Sequence, residues 1–297
     1  MQTRGVTERS PVDRRHRSAR KRLARRIGRY LVLAAVLALV GAAYYGARWP
    51  LQLRSGWTVT EKVRLSRPDS LTLTADGKLR YATLETIPGL LVELTPDGPR
   101  TVFGDFGKAN GLLAADDMLI VSESTPNGRV MAYNPATARL RVLARMDNPE
   151  TVLRRPDGSL VVAQNVADGR LWVLREGAEP AVLVNGLDHP EGLCNLPDGR
   201  LGIGEGGTGR ILAYGPAGLE TLADGLDGID QLACGADGSL WAVLSQVRSG
   251  KLVRIADGKQ RTIARHLRQP RGIALLPDGS LYLAEARANR VLRLARR

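Results

Sequence analysis

One sequence pattern recurs six times between residues 67 and 297, and it constrains the fold more than any single residue. Each unit contains a short apolar segment, usually a turn of the Pro-Asp-Gly type, a second apolar segment, and a further segment that often opens with Gly-Arg. A period of about 40–45 residues with strand-like content is typical of propeller blades. The second residues of the units are separated by 41, 40, 41, 39 and 41 positions and are Asp69, Asn110, Glu150, Glu191, Asp230 and Arg271. The sequence therefore predicts six blades.

The fourth unit shows the strands of one blade most clearly. Residues 191–195, 200–205, 210–214 and 219–223 are short segments with apolar positions, separated by turn residues, and this pattern indicates a four-stranded antiparallel sheet. The turn Pro197-Asp198-Gly199 combines a proline that presets the first dihedral with a glycine that accepts positive φ.

The sixth unit ends after its third strand, residues 290–294, so its blade is one strand short. Residues 58–65, which precede the first unit, resemble a fourth strand. Pairing these two segments closes the ring and removes an exposed sheet edge. The predicted fold is an all-β, six-bladed β-propeller over residues 57–297, with the N-terminal strand closing the last blade.

The first 56 residues have a different composition. Residues 1–29 contain eleven Lys or Arg and two acidic residues, a net +9 of the total +13, and residues 30–47 contain no charged residue. Eighteen helical residues extend about 27 Å, close to the thickness of a bilayer core. We predict a basic cytoplasmic tail (1–29), a transmembrane signal anchor (30–47) and a linker (48–56). The positive-inside rule then makes this a single-pass membrane protein with a periplasmic or extracellular propeller.

A cleaved signal peptide is the alternative, because residues 41–43 and 46–47 are small, as cleavage sites require. The long basic segment and the full spanning length favour an uncleaved anchor. Arg25-Arg26 suggests twin-arginine export, but Gly28-Arg29 follow where hydrophobic residues should stand, which excludes it. We expect no nucleic-acid partner, since the basic tail adjoins an apolar segment.

The six second residues are expected to form a ring at one end of the central channel, because the first strand of each blade is innermost. Four are carboxylates, one is an amide and one is a guanidinium. Converging carboxylates repel each other unless a cation, protons or a basic side chain compensates. Oxygen ligands suit calcium, whereas zinc prefers His or Cys. The sequence predicts a calcium site formed by Asp69, Asn110, Glu150, Glu191 and Asp230, with neutralisation by Arg271 as the alternative.

A second layer of residues should reach the same end of the channel from the second strands. It comprises Thr83, Glu123, Gln164, Glu205, Leu244 and Glu285. Three of these acids are followed five or six positions later by an arginine, as in Glu205 and Arg210. We predict repeated structural ion pairs for this layer.

His189 and the two cysteines complete the set of candidates. His189 precedes Glu191 and could act as a general base, because imidazole titrates near neutrality; a solvated loop histidine is the alternative. Cys194 and Cys234 lie on the innermost strands of neighbouring blades with registers offset by one. This offset places them on opposite strand faces, so we predict two free buried thiols, although an outer compartment would permit a disulfide.

The motifs resemble a known superfamily. Residues 228–232 (GIDQL) followed by 238–242 (GSLWA), 189–193 (HPEGL) and 109–112 (ANGL) are similar to strand openings of the gluconolactonase, paraoxonase and strictosidine synthase-like six-bladed propellers. NHL-type propellers share much of these motifs. In the hydrolytic members a first-blade carboxylate, mid-blade asparagines and a fifth-blade aspartate hold calcium. The resemblance implies that Asp69 is that first-blade carboxylate and Asp230 the catalytic, metal-binding aspartate.

The same comparison reveals departures from the superfamily pattern. Glu150 and Glu191 stand where asparagine is usual, and Gln231 replaces the asparagine that neighbours the fifth-blade aspartate. The resemblance implies a calcium-dependent lactonase or esterase-like hydrolase, or a strictosidine synthase-like enzyme, with a small lactone or ester as substrate; the tail and the uncharged segment imply that it is membrane-anchored and exported. The alternative is a non-catalytic, NHL-like binding module for a protein, peptide or glycan, in which Arg271 pairs with the acids.

Overall fold

The computed structural model describes residues 27, 30–37, 50–73 and 77–297. Residues 30–37 are helical. No helix within these described ranges is long and apolar enough to cross a membrane. Most of the predicted anchor over 30–47, and nearly all of the basic tail over 1–29, fall outside the described residues.

Residues 51–297 form six antiparallel sheets, which confirms the all-β six-bladed propeller. Each blade contains four strands from an inner first strand to an outer fourth strand; these follow the sequence order in blades one to five, blade six takes its fourth strand from the N-terminal β2, and blade five carries one additional strand. The strands are, for blade one, β3 (Pro68–Leu73), β4 (Leu79–Leu84), β5 (Gly89–Thr95) and β6 (Gly98–Phe106); for blade two, β7 (Ala109–Ala115), β8 (Met118–Glu123), β9 (Gly128–Asn134) and β10 (Arg139–Met146); for blade three, β11 (Pro149–Arg154), β12 (Leu160–Gln164), β13 (Gly169–Leu174) and β14 (Ala181–Leu187); for blade four, β15 (Pro190–Asn195), β16 (Leu201–Glu205), β17 (Arg210–Gly215) and β18 (Gly218–Ala223); for blade five, β19 (Ile229–Cys234), β20 (Leu240–Leu244), β21 (Gly250–Ala256), β22 (Lys259–Leu267) and β1 (Gln52–Leu53); and for blade six, β23 (Pro270–Leu275), β24 (Leu281–Glu285), β25 (Arg290–Arg296) and β2 (Trp57–Arg64).

The predicted closure of the propeller by an N-terminal strand is confirmed. Strand β2 pairs antiparallel with β25, from Trp57 opposite Arg296 to Arg64 opposite Arg290. The N-terminal strand therefore supplies the fourth strand of blade six. In addition, β1 pairs with β22 on the outer edge of blade five, within the residues 48–56 that we assigned to a linker. Two residues are too few to show the alternation of a strand, so the sequence did not reveal this pairing.

The hydrophobic core lies between neighbouring blades. Each sheet packs both faces against the adjacent sheets, so six apolar clusters fill the six gaps. Between blades one and two, Leu91 and Phe106 pack with Val121 and Met131. Burial on both faces explains why second strands such as β20, Leu240–Leu244, are apolar at every position.

The first strand of every blade contains a register irregularity at its second residue. In β19, Ile229 pairs with Leu244 and Gln231 pairs with Val243, so Asp230 between them is the extra residue. The same shift follows the first residue of the other five inner strands. Such bulges re-aim a side chain and occur beside functional sites. Here they act on the six second residues.

The prediction of two free thiols was wrong, because Cys194 and Cys234 form a disulfide with Cα atoms 5.6 Å apart. The cysteines do lie at positions offset by one, on opposite strand faces. However, neighbouring blades stack face to face. The face of β15 that points toward blade five therefore packs against the face of β19 that points toward blade four. Opposite faces therefore bring the sulfurs together in the cluster between blades four and five.

Candidate functional site

The structure brings the six second residues together at one end of the channel, and we call this set the ring. Four members are buried and two are partly buried. Contacts connect them: Asn110 Nδ2 donates a hydrogen bond to Glu150 Oε1, and Arg271 contacts Asp230 through an ion pair. Glu191 is hydrogen-bonded to Asp230. The ring is thus a connected group of polar side chains rather than six separate ones.

Arg271 compensates one half of the ring. Its side chain is only 14% exposed, and it contacts Asp230 Oδ1 while its Nε lies 3.8 Å from Asp69 Oδ2. A third acid, Glu85, lies 3.5 Å from the guanidinium and also pairs with Arg67. One arginine of blade six therefore joins acids of blades five and one.

Glu150 anchors the other half. One oxygen accepts a hydrogen bond from Asn110, and the other accepts from Ser124 Oγ at 2.7 Å and Asn165 Nδ2 at 3.5 Å. These donors replace water around the carboxylate. Asn110 Oδ1 is buried without a hydrogen-bond partner, which leaves an acceptor open to a ligand.

Two ring carboxyls hold protons at neutral pH. Burial, followed by the charges of Asp230 and Glu150, raises the pKa of Asp69 to about 8 although Arg271 opposes the shift. Burial and the same two acids raise the pKa of Glu191 to about 10. Protons and one guanidinium together offset the repulsion among the four carboxyls.

The arrangement does not fit the predicted calcium site. Within the described ranges, no three His, Cys, Asp or Glu side chains are placed to hold one metal ion. The two residues that the resemblance assigns to the metal, Asp69 and Asp230, face Arg271 instead. Asp69 Oδ2 and Arg271 Nε are both buried without a hydrogen-bond partner and lie 3.8 Å apart, so Arg271 occupies the space beside Asp69. The donor chemistry suits calcium, but the guanidinium is already the cation at this place.

Hydroxyl groups connect the ring backbone of adjacent blades. Thr83 Oγ1 accepts a hydrogen bond from Ser70 N at 3.0 Å and donates to Asn110 O at 2.7 Å. Ser122 Oγ likewise accepts a hydrogen bond from Gly111 N and donates one to Glu150 O. A side chain at Gly111 would clash with that Glu150 carbonyl. The glycine therefore permits the close contact of blades two and three beneath the ring.

The predicted ion pairs of the second layer are confirmed. Their N–O distances are 2.7 Å for Glu123–Arg129, 2.7 Å for Glu205–Arg210 and 2.5 Å for Glu285–Arg290. Each acid also accepts a hydrogen bond from the backbone of the preceding connection, as Glu205 does from Asp188 N at 2.9 Å. Leu84, not Thr83, occupies the equivalent register position in blade one. These acids fix loops and are not part of the ring.

The structure places His189 and Gln231 in other contacts. His189 Nδ1 lies 2.6 Å from Asp188 Oδ1, and its side chain is 46% exposed; in the described contacts it does not touch the ring. Its φ is +50°, and Arg67, Asn148 and Gln269 adopt the same left-handed geometry two residues before their ring members. His189 therefore stands at a repeated turn position, and its catalytic role stays a prediction. Gln231 donates to Thr151 Oγ1 at 2.9 Å, linking blades five and three.

Sequence reasoning missed three groups that surround the ring: Glu85, Ser124 and Asn165. All three lie just after the second strands, one residue beyond the second layer. Lys108, 4.0 Å from Glu85, adds a second cation at the edge. The signal for these residues was their shared place in the repeat, because in blades one to three the residue that follows the second strand contacts a member of the ring.

Solved structures with the same fold are found at low sequence identity. Regucalcin from Agrobacterium tumefaciens, a calcium-binding protein, matches with a TM-score of 0.62 at 17% identity, over 80% of this chain and 94% of that one. A gluconolactonase from Xanthomonas campestris matches with a TM-score of 0.61 at 14% identity, over 81% of this chain and 99% of that one. The PQQ-bound aldose sugar dehydrogenase of Streptomyces coelicolor matches with a TM-score of 0.66 at 16% identity, over 82% of this chain and 98% of that one.

The resemblance that the sequence motifs suggested is confirmed at the level of the fold. No family model matches the sequence, and no curated protein matches it. The matched structures have different chemistries at nearly equal similarity. Function must therefore be argued from the ring itself.

Proposed function

We propose that the propeller is a lactonase-like hydrolase that acts on a small lactone or ester at the ring. The observation that carries the proposal is the coexistence, in one connected group, of a carboxylate held by Arg271 and neutral carboxyls with raised pKa values. A carboxylate paired with a guanidinium beside carboxyls of raised pKa can divide the base and acid roles among them. The unpaired Asn110 Oδ1 offers an acceptor for a substrate hydroxyl.

The roles follow from these protonation states. The Asp230 carboxylate accepts a proton as water attacks the substrate carbonyl carbon, and the neutral Glu191 donates a hydrogen bond to the carbonyl oxygen as its charge grows. Asp69 gives its proton to the alkoxide oxygen when the acyl carbon–oxygen bond breaks. The proton taken by Asp230 returns to Asp69, so the ring ends in its starting state. Arg271 supplies the positive charge that compensates the Asp230 carboxylate, and no step requires calcium.

The test is hydrolysis of a panel of lactones and esters by the full-length protein, with and without a calcium chelator. We expect activity that the chelator does not change. Asp230→Asn and Asp69→Asn should each reduce kcat by about 100-fold or more, the usual contribution of general acid–base catalysis. Asp198→Asn is the matched control, because Asp198 is an exposed turn residue that pairs with Arg200. Activity in the Asp230 variant equal to that of the control would refute the proposed site.

A second candidate is a non-catalytic binding module, and the Arg271–Asp230 ion pair favours it because that pair occupies the candidate base. This module would hold a small polar ligand or a partner at the same ring. Absence of hydrolysis across the panel, together with intact folding, would support it over the hydrolase.

We further propose that residues 30–47 anchor the chain in a membrane and that the propeller is exported. The uncharged segment and the +9 tail support the anchor. The Cys194–Cys234 disulfide supports export, since disulfides persist in oxidising compartments. Alkaline phosphatase fused to the C-terminus should be active and a fluorescent protein dark. A mature N-terminus after Ala43 or Ala47 would show a cleaved signal peptide instead.

A further inference from the structure

The loops at the ring end of the propeller divide by charge. In the half formed by blades five, six and one, the charged loop residues are Arg248, Arg268, Arg287, Arg67 and Lys108, with Glu85 as the acid, which pairs with Arg67. The loops of the other half contain Asp147, Asp168, Asp188, Asp224 and Asp227. The ring end therefore has a basic half and an acidic half.

The basic half also exposes two large apolar side chains. Ile87, between β4 and β5, is 97% exposed, and Val247, between β20 and β21, is 47% exposed. Both lie in loops that follow second strands and so project at the ring end. Basic residues that surround exposed apolar ones are typical of surfaces that contact anionic lipid.

The chain enters the propeller beside this half. Gln52 pairs with Arg265 and Leu53 with Ala264, near the end of β22 that leads to Arg268. Because β1 runs antiparallel to β22, Leu51 lies toward the ring end of blade five. Three residues, 48–50, separate it from position 47, the end of the predicted anchor, and the four Cα–Cα steps between these two positions can extend at most about 14 Å.

We propose that the basic half of the ring end rests on an anionic phospholipid surface, so that the ring opens beside the membrane. The inference rests on the proposed anchor and goes beyond it, because an anchor alone would leave the propeller free to turn either end toward the lipid. Charge complementarity and the place where the chain enters both select the basic half. The acidic half is repelled by the same surface.

The experiment uses the full-length protein in vesicles that contain a fluorescence-quenching lipid. An environment-sensitive fluorophore is placed at Ile87→Cys or Val247→Cys, while the native disulfide protects the other two cysteines. Ala217→Cys, in an exposed turn at the opposite end, and Asp168→Cys, in the acidic half, are the controls. We expect several-fold stronger quenching at Ile87 and Val247 than at either control. Equal quenching at all four sites, or stronger quenching at a control, would overturn the proposal.

Two further experiments test the electrostatic basis of the contact and the anchor separately. Arg268→Glu with Arg287→Glu should reduce quenching at Ile87 in phosphatidylglycerol vesicles and leave it unchanged in pure phosphatidylcholine. An unchanged signal in phosphatidylglycerol would contradict the electrostatic basis. Retention on vesicles after an alkaline wash tests the anchor: retained protein without quenching refutes only the orientation, whereas lost protein refutes the anchor and the orientation together.

Discussion

Arg271 of blade six contacts the carboxylate of Asp230 in blade five, and its Nε lies 3.8 Å from Oδ2 of Asp69 in blade one. Three consecutive blades thus meet around one guanidinium that is largely removed from solvent. A cation supplied by the chain stands at the place where the resemblance implied a metal ion. This substitution decides how the ring should respond to mutation, pH and calcium.

Replacing Arg271 with alanine should destabilise the propeller at neutral pH. Removal of one partner from a buried ion pair leaves an uncompensated charge and costs about 3–5 kcal/mol. For a domain of this size, the melting temperature should fall by about 2–4 °C for each kcal/mol. Arg200→Ala is the matched control; Arg200 pairs with Asp198 and Glu220 at the surface, where an ion pair contributes at most about 1 kcal/mol. Equal losses in the two variants would contradict the assigned role of Arg271.

Calcium should affect the Arg271→Ala variant and not the wild type. Without the guanidinium, the ring acids need another cation, and metal binding to the folded state raises the melting temperature by mass action. We expect a calcium-dependent rise in Arg271→Ala that magnesium does not reproduce, because calcium accepts more, and more flexible, oxygen ligands. A calcium-dependent rise in the wild type that Asp230→Ala removes would restore the calcium site predicted from the sequence.

The ring should also make stability depend on pH. The pKa of Asp69 is raised to about 8 and that of Glu191 to about 10, above the value of about 4 for an unfolded carboxyl. The folded state therefore binds more protons than the unfolded state from about pH 4 upward. The free energy of unfolding should therefore fall as pH rises toward 8, because each pH unit in this range favours the unfolded state that has lost these protons. Denaturant unfolding of Asp69→Asn and Glu191→Gln should show a shallower slope; Asp198→Asn should keep the wild-type slope, and identical slopes in all four proteins would refute the assignment.

Much of the fold could be predicted because its determinants are periodic. The spacing of the second residues gave the six blades, and the missing strand after residues 290–294 gave the closure. The pairing of β1 and the Cys194–Cys234 disulfide could not be predicted in the same way. A two-residue strand has no pattern, and the disulfide depends on how two sheets stack rather than on either strand alone.

The membership of the ring could be predicted, but its chemistry could not. Repeat position identified all six side chains, since each lies at the same bulge of an inner strand. Whether Arg271 would reach Asp230 or point toward solvent depends on its rotamer and on Glu85, neither of which the repeat specifies. His189 shares its left-handed backbone position with Arg67, Asn148 and Gln269, so the turn alone accounts for its placement, and its catalytic role stays a prediction.

The disulfide should contribute measurably to stability. It closes a loop of 40 residues between blades four and five, and constraint of the unfolded chain over that length contributes about 4 kcal/mol. We expect Cys194→Ala with Cys234→Ala to lower the free energy of unfolding by several kcal/mol. Reducing agent should lower the melting temperature of the wild type and leave the double variant unchanged. A wild-type protein insensitive to reductant, with two titratable thiols, would show that the disulfide is absent.

The closing strand β2 should be required for cooperative folding. Trp57 begins it and packs edge-on against Trp241 of blade five, with ring centroids 5.6 Å apart. Trp57→Ala should cost about 3–5 kcal/mol, the usual effect of truncating a buried aromatic residue, whereas Lys62→Ala, exposed on the same strand, should have little effect. Deletion of residues 57–66 should abolish the sharp thermal transition, because blade six would then expose the edge of β25. Melting of the deletion variant as sharply and at the same temperature as the wild type would show that the propeller closes in another way.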